Sequence, residues 1–264
     1  MKLLRKLKRL AFTILVMAPI SPAMAGFLTI AAAADLKFAM AEVVDKFRAA
    51  RPDDKIEVIY GSSGKFFTQI KNGAPFDMYF SADIEYPRKL EKEGLTAGST
   101  RPYAVGRIVL WSLKPELAKM ALKDLPNSSI RKFAIANPRH APYGLRGKEA
   151  LQHQGVWTAM EPKLVMGENI AHTAQFIDTG AADAGIVALA LALSPTMQGK
   201  GAWTLIPDAW HEPLEQGFAI TQRAAGNPLA KDFANYMASE SARAVMRRYG
   251  FALPGEEGKN AEGK

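Results

Sequence analysis

The sequence predicts two α/β lobes, each a mainly parallel sheet flanked by helices, with a cleft between them. Three observations carry this. Short apolar strands alternate with amphipathic helices. The alternation stops and then restarts about halfway along. The chain that follows an N-terminal leader is long enough for two cores.

The leader is residues 1–25. Lys2, Arg5, Lys6, Lys8 and Arg9 form a positive head, Leu10 to Ile20 is apolar, and Ala23-Met24-Ala25 gives the small-x-small pattern cut by signal peptidase. The apolar stretch is about half the length of a membrane span. Without a twin-arginine pattern, the general secretion route into the periplasm is expected. All five of those leader charges are positive, so their removal takes the net charge from +8 to +3. What remains has no basic stripe interleaved with aromatics, and nucleic acid is not an expected partner. There is no cysteine. In an oxidising compartment the fold must therefore be held by packing alone.

The elements follow in order. Phe27 to Ala33 reads as a buried strand. From Leu36 the period becomes helical, with Leu36, Ala39, Met40, Val43, Val44 and Phe47 on one face and Asp35 as N-cap. Ile56, Val58 and Tyr60 alternate as a strand should. A helix over 65–72 is closed by Gly73 and Pro75, residues 77–82 form a strand, and a helix over 84–93 ends at Gly94. The pattern restarts with a strand in "RKFAIANP", a helix over 143–154 stopped by Gly155, a strand in "KLVMG", a helix over 170–178 and a strand in "AGIVAL". Residues 227–250 read as a helix pair. Gly255 to Lys264 reads as a mobile tail.

In open α/β sheets ligands bind beyond the carboxyl ends of strands. That rule singles out Ala34-Asp35, Ser62-Ser63-Gly64, Tyr143-Gly144 and Asn169-Ile170. The stretch "YGSSGK" at 60–65 invites several chemistries. A P-loop needs glycine at position 59, which is Ile59, and "AAAAD" lacks the dinucleotide glycines. The four histidines, His140, His153, His172 and His211, have no ligand-pair spacing, so no metal site is expected. A serine hydrolase would use Ser62 or Ser63 with His140 or His172, but Lys65 stands where the nucleophile elbow needs glycine. Helix N-termini can hold an anion through their unpartnered amides, and the bland alternative is that Ser63 caps its own helix.

"AAAADLKFAM", "GSSGKFFTQIKNGAPFDMYFSAD", "NPRHAPYGLRGKEAL", "GAADAGIVALA" and "RRYGF" occur here in an order that resembles the periplasmic molybdate-binding proteins of ABC importers, which are type II periplasmic binding proteins. The resemblance covers nearly all of residues 26–264. It implies a receptor, not an enzyme, that closes on molybdate or tungstate and delivers it to a permease at the inner membrane, as a monomer and with no cofactor. It places ligand contacts at Ala34, Asp35, Ser63 and Tyr143 and at the amide of Ile170. It also implies a first lobe from 26–104 and 215–254, a second from 105–214, and a tail at 255–264. Another anion, such as phosphate, sulfate or an organic anion, is the alternative, and a secreted hydrolase the more distant one.

Two departures from that family pattern stand out. Where some members have a tyrosine after "GIV", this chain has Ala188, which puts more weight on Tyr143. Where members offer serine, threonine or asparagine, it has Asp35, and an ionised carboxylate beside a dianion is repulsive. Three readings of Asp35 follow: it turns away to cap its helix, it accepts a proton from a singly protonated oxyanion, or it pairs with Lys37 or Lys65.

Overall fold

The computed structural model describes residues 26–256. The expected leader at 1–25 and most of the expected tail lie outside them. The first run of elements is β1 (Phe27–Ala33), a 3-10 turn at Ala34–Leu36, α1 (Lys37–Arg48), β2 (Lys55–Gly61), α2 (Ser63–Lys71), β3 (Met78–Ser81), α3 (Glu85–Lys92) and β4 (Arg101–Gly106). The second run is β5 (Ile108–Ser112), α4 (Pro115–Ala118), β6 (Phe133–Ala136), α5 (Pro142–His153), α6 (Trp157–Met160), β7 (Leu164–Gly167), α7 (Ile170–Asp178), β8 (Ala184–Ala188), α8 (Leu189–Ala192) and β9 (Ala202–Leu205). The chain closes with β10 (Leu214–Ile220), α9 (Pro228–Tyr236) and α10 (Glu240–Arg248).

Two five-stranded sheets result, ordered β2-β1-β3-β10-β4 and β7-β6-β8-β5-β9. In each, four strands share one direction and the fourth in order, β10 or β5, is reversed. The chain passes from the first sheet to the second at Arg107 and returns through 206–213. Arg107 is fixed at the crossing by two bonds from its guanidinium to the Gly250 carbonyl, at 3.1 and 2.9 Å.

Local sequence explains the elements. β1 and β3 are covered on both faces, so they read as unbroken apolar runs. β2 lies at the sheet edge and alternates between half-buried and exposed. The buried face of α1 is Ala39, Met40, Val43, Val44 and Phe47, the spacing read from the sequence. Gly94 and Gly155 follow helix ends with φ of 71° and 70°, a left-handed conformation that side chains disfavour.

Each sheet has its own apolar core. The first centres on Phe80, which stacks on Phe218 at 4.7 Å and meets Tyr103 and Phe233 edge-on. The second is built round Trp111 and Phe133. Ala33, Ala34 and Ala82, at the strand ends of the first sheet, pack into the second core, so the lobes touch where those strands end. One part of the expected mobile tail is tethered, since Glu256 accepts from Arg243 and Arg247 at 2.6 and 2.9 Å.

Phe80 is fully buried, so Phe80→Ala should lower stability by about 3–5 kcal/mol through lost burial and the cavity left behind. Urea denaturation with an unchanged m-value would show it.

Candidate functional site

The four strand-to-helix junctions converge on one small gap between the sheets. Its walls are Ala33 to Asp35, Gly61 to Ser63, Ala82, Ala141 to Tyr143, and Asn169 with Ile170. The five residues singled out from the sequence, Ala34, Asp35, Ser63, Tyr143 and Ile170, are thus brought together. The free volume is about 10 Å³, room for roughly one water molecule. A wider groove of about 700 Å³ lies outside and shares only Ala34 and Asn169 with the gap.

The lining is rich in donors. Ser63 is the first residue of α2, Tyr143 the second of α5 after Pro142, and Ile170 the first of α7. Amides in the first turn have no acceptor within their own helix, and each helix start adds about half a positive charge. The Ser63 hydroxyl oxygen accepts from the Ala82 amide at 3.0 Å, which fixes the side chain and leaves its hydrogen to donate. Tyr79 holds the Ser63 carbonyl from behind at 2.7 Å. Among the described residues, no lysine or arginine lines the gap. Lys65 points outward and pairs with Glu168 across the mouth at 2.8 Å, with both side chains about half exposed, a contact worth at most about 1 kcal/mol.

The floor is a buried polar network. Tyr143 donates to Asp35 Oδ2 at 2.9 Å, and Gln216 Nε2 lies 2.9 Å from both that oxygen and the phenol. Tyr103 donates to Gln216 Oε1 at 2.6 Å. Asp35 is 1% exposed, and its other oxygen, Oδ1, has no hydrogen-bond partner. Desolvation pushes its pKa from the ordinary 3.8 up to about 6, against the opposing pull of Gln216, Tyr143 and the nearby amides of Asp35 and Leu36. Burial holds the Tyr143 and Tyr103 phenols well above their usual pKa, and Asp35 adds to it. Gly106 makes this floor possible, because a Cβ there would sit 2.2 Å from the Tyr143 oxygen and 2.6 Å from Gln216 Nε2.

A second contact joins the lobes at the rim. The His140 carbonyl accepts from the Gly64 amide at 2.9 Å and from the Ser62 hydroxyl, which also lies 2.9 Å from His140 Nδ1. A Cβ on Gly64 would meet that carbonyl at 2.8 Å. The Ser62–His140 pair lacks the third member of a nucleophilic triad, since no carboxylate bonds the imidazole among the described residues. Nor, among those residues, do three His, Cys, Asp or Glu side chains gather as metal ligands.

One local expectation is corrected and two alternatives fall away. Asp35 does not cap α1: the 3-10 turn moves that helix start to Leu36, and the carboxylate faces Tyr143 and Gln216 instead. It pairs with neither Lys37 nor Lys65. Ser63 does not cap its own helix, because the N-cap is Ser62 and the Ser63 hydroxyl serves Ala82. Sequence reasoning missed Gln216 and Tyr103 as parts of the floor. The one hint was a glutamine on the inward face of an otherwise apolar strand, "LEQGFAI".

Comparison with known proteins places this geometry. The family model "Bacterial extracellular solute-binding protein" matches residues 28–252. The molybdate-binding protein ModA of Azotobacter vinelandii is 36% identical over 233 residues, covering 88% of this chain and 92% of the relative. ModA of Rhodobacter capsulatus is 34% identical, covering 90% and 92%. The solved Azotobacter vinelandii periplasmic molybdate-binding protein superposes with a TM-score of 0.81 at 33% identity, over 86% of this chain and 99% of that one.

The raised pKa of Asp35 has a stability signature. The folded protein holds this proton more tightly than the unfolded chain, whose carboxyl titrates near 3.8. Below that value both states are protonated and there is no penalty. As pH rises through about 6 the folded state loses about 3 kcal/mol. Relative to Asp35→Asn, the wild type should therefore lose roughly that much stability between pH 3.5 and 7, measured by urea denaturation of both proteins.

Proposed function

The chain belongs to the bacterial extracellular solute-binding proteins, and from that premise we propose that it is a periplasmic receptor that captures molybdate or tungstate and passes it to an ABC importer of the inner membrane. The observation that carries the reading is the convergence of helix starts at Ser63, Tyr143 and Ile170, with the turn at Ala34-Asp35, on one gap without a cation. A tetrahedral oxyanion presents acceptors in all directions. Such a ring of amides and hydroxyls can satisfy it with neutral dipoles alone.

Capture requires movement. The gap holds about one water, so an oxyanion must part the Tyr143–Asp35 contact and the lobes must swing slightly open, then close around it. On closure the Tyr143 phenol can turn from Asp35 to the ion. Size discrimination follows from the fixed ring: an ion with shorter bonds leaves donors unmade, at a cost of about 1–3 kcal/mol each in a dry site. Molybdate and tungstate are nearly the same size and share the site. The receptor works as a monomer and needs no cofactor. Acyl transfer is disfavoured, because the Ser62 hydroxyl is committed to the His140 carbonyl and, among the described residues, no acid orients the imidazole.

Ser63→Ala and Tyr143→Phe should each weaken molybdate binding by roughly 1–3 kcal/mol in calorimetry. In a thermal-shift panel, molybdate and tungstate should raise the melting temperature while sulfate at the same concentration does not. Unchanged affinity in both variants would remove these residues from the site. A preferential shift with sulfate or phosphate would reassign the cargo.

A further inference from the structure

Asp35 is the feature that a site made of neutral donors does not explain. It lines the gap, is 1% exposed, and leaves Oδ1 buried with no partner, while Oδ2 already accepts from Tyr143 and Gln216. A buried acceptor without a donor costs about 1–3 kcal/mol, and more if it is charged. An anion placed beside it would add repulsion that no lysine or arginine in the gap relieves. One added proton removes both costs. It must sit on Oδ1, because Oδ2 already has two donors pointed at it, and there it makes the carboxyl a hydrogen-bond donor.

Resting on the oxyanion-receptor reading above, we propose that Asp35 makes this site take up its tetrahedral oxyanion together with one proton, held between Asp35 Oδ1 and an oxygen of the ion. No covalent bond changes. An ionised Asp35, a dianion and one proton from solvent give a complex in which the carboxyl is neutral and the ion keeps its two charges. Parting the Tyr143–Asp35 contact strengthens the coupling, since it removes one of the donors that stabilise the carboxylate. The rise of the Asp35 pKa to about 6 in the unliganded protein points the same way, and a neighbouring dianion would raise it further.

The surroundings offer few competing proton sites. The floor residues facing Asp35 are Tyr143, Tyr103 and Gln216, and both phenols are held neutral. Of the elements packed on the Ala34–Leu36 turn, α8 has no titratable side chain. Helix α7 brings His172 and Asp178, and α1 brings Lys37, Glu42, Asp45, Lys46 and Arg48. Strand β2 brings Lys55, Glu57 and Tyr60. None of these hydrogen-bonds Asp35, and no neighbouring charge is among the causes of its shift. At the rim stand the Lys65–Glu168 pair and His140, whose pKa is lowered by desolvation.

The test is calorimetric titration of the purified protein with micromolar molybdate from pH 5.5 to 8.5, in buffers of different ionisation enthalpy. Molybdate stays a dianion across this range, so any proton taken up comes from solvent. Affinity should be level below about pH 6 and fall about tenfold per pH unit above it, with uptake of about one proton at pH 8. Asp35→Asn should abolish both the slope and the uptake and bind more tightly than wild type at pH 8. His140→Asn should keep both. Binding by the wild type that is flat with pH and independent of buffer overturns this inference and leaves the receptor reading standing. Loss of the slope in His140→Asn, with its retention in Asp35→Asn, overturns it also. Failure of the wild type to bind molybdate at any pH overturns the receptor reading, and this inference with it.

Discussion

The first amides of a helix have no partner inside it, and the fold is arranged so that several sets of them face one another across a gap. Three helix starts and one 3-10 turn, from both halves of the fold, line the same small gap. Each alone would be satisfied by water. Together, in a space too small for more than about one water, they set several partial positive charges around one carboxyl group, that of Asp35. The two mainly parallel sheets exist in this arrangement to bring the carboxyl ends of β1, β2, β6 and β7 to that point. The alanines at 33, 34 and 82 are what allow the ends of the first sheet to come so close to the second core.

The contacts that hold the lobes together differ in kind. At the rim, Gly64 and Ser62 spend donors on the His140 carbonyl, a neutral contact that depends on the absence of a side chain at 64. At the floor, Tyr143 of one lobe reaches Asp35 of the other in a setting that leaves a carboxylate oxygen bare. The rim contact is satisfied as it stands, and the floor contact is not. A fold that retains an incompletely satisfied buried acid at its centre has placed the strain where a guest can relieve it.

Much of this was legible in the residues. The junctions at 34–35, 62–64, 143–144 and 169–170 could be located because strand and helix periods change sharply there, and because a topological rule says which ends matter. The family resemblance then picks out Ser63, Tyr143 and Ile170 among those positions, and all three line the gap. Gln216 and Tyr103 were not legible, since the Gln216–Asp35 contact joins residues 181 apart in the chain and no local pattern announces it. Asp35 was misjudged as a helix cap because the sequence gives no sign that a 3-10 turn intervenes before α1. An aspartate before a helical run is ordinarily a cap, and here tertiary packing decided otherwise.

Gly106 is the last residue of β4, immediately before Arg107, where the chain leaves one sheet for the other. It is also the residue whose bare Cα lets the Tyr143 oxygen and the Gln216 amide meet. The crossing between the sheets and the underside of the gap therefore share one residue. Any side chain at 106 would disturb the crossing and the floor of the gap at once. The phenol itself rests on the strand end at which the chain changes sheets.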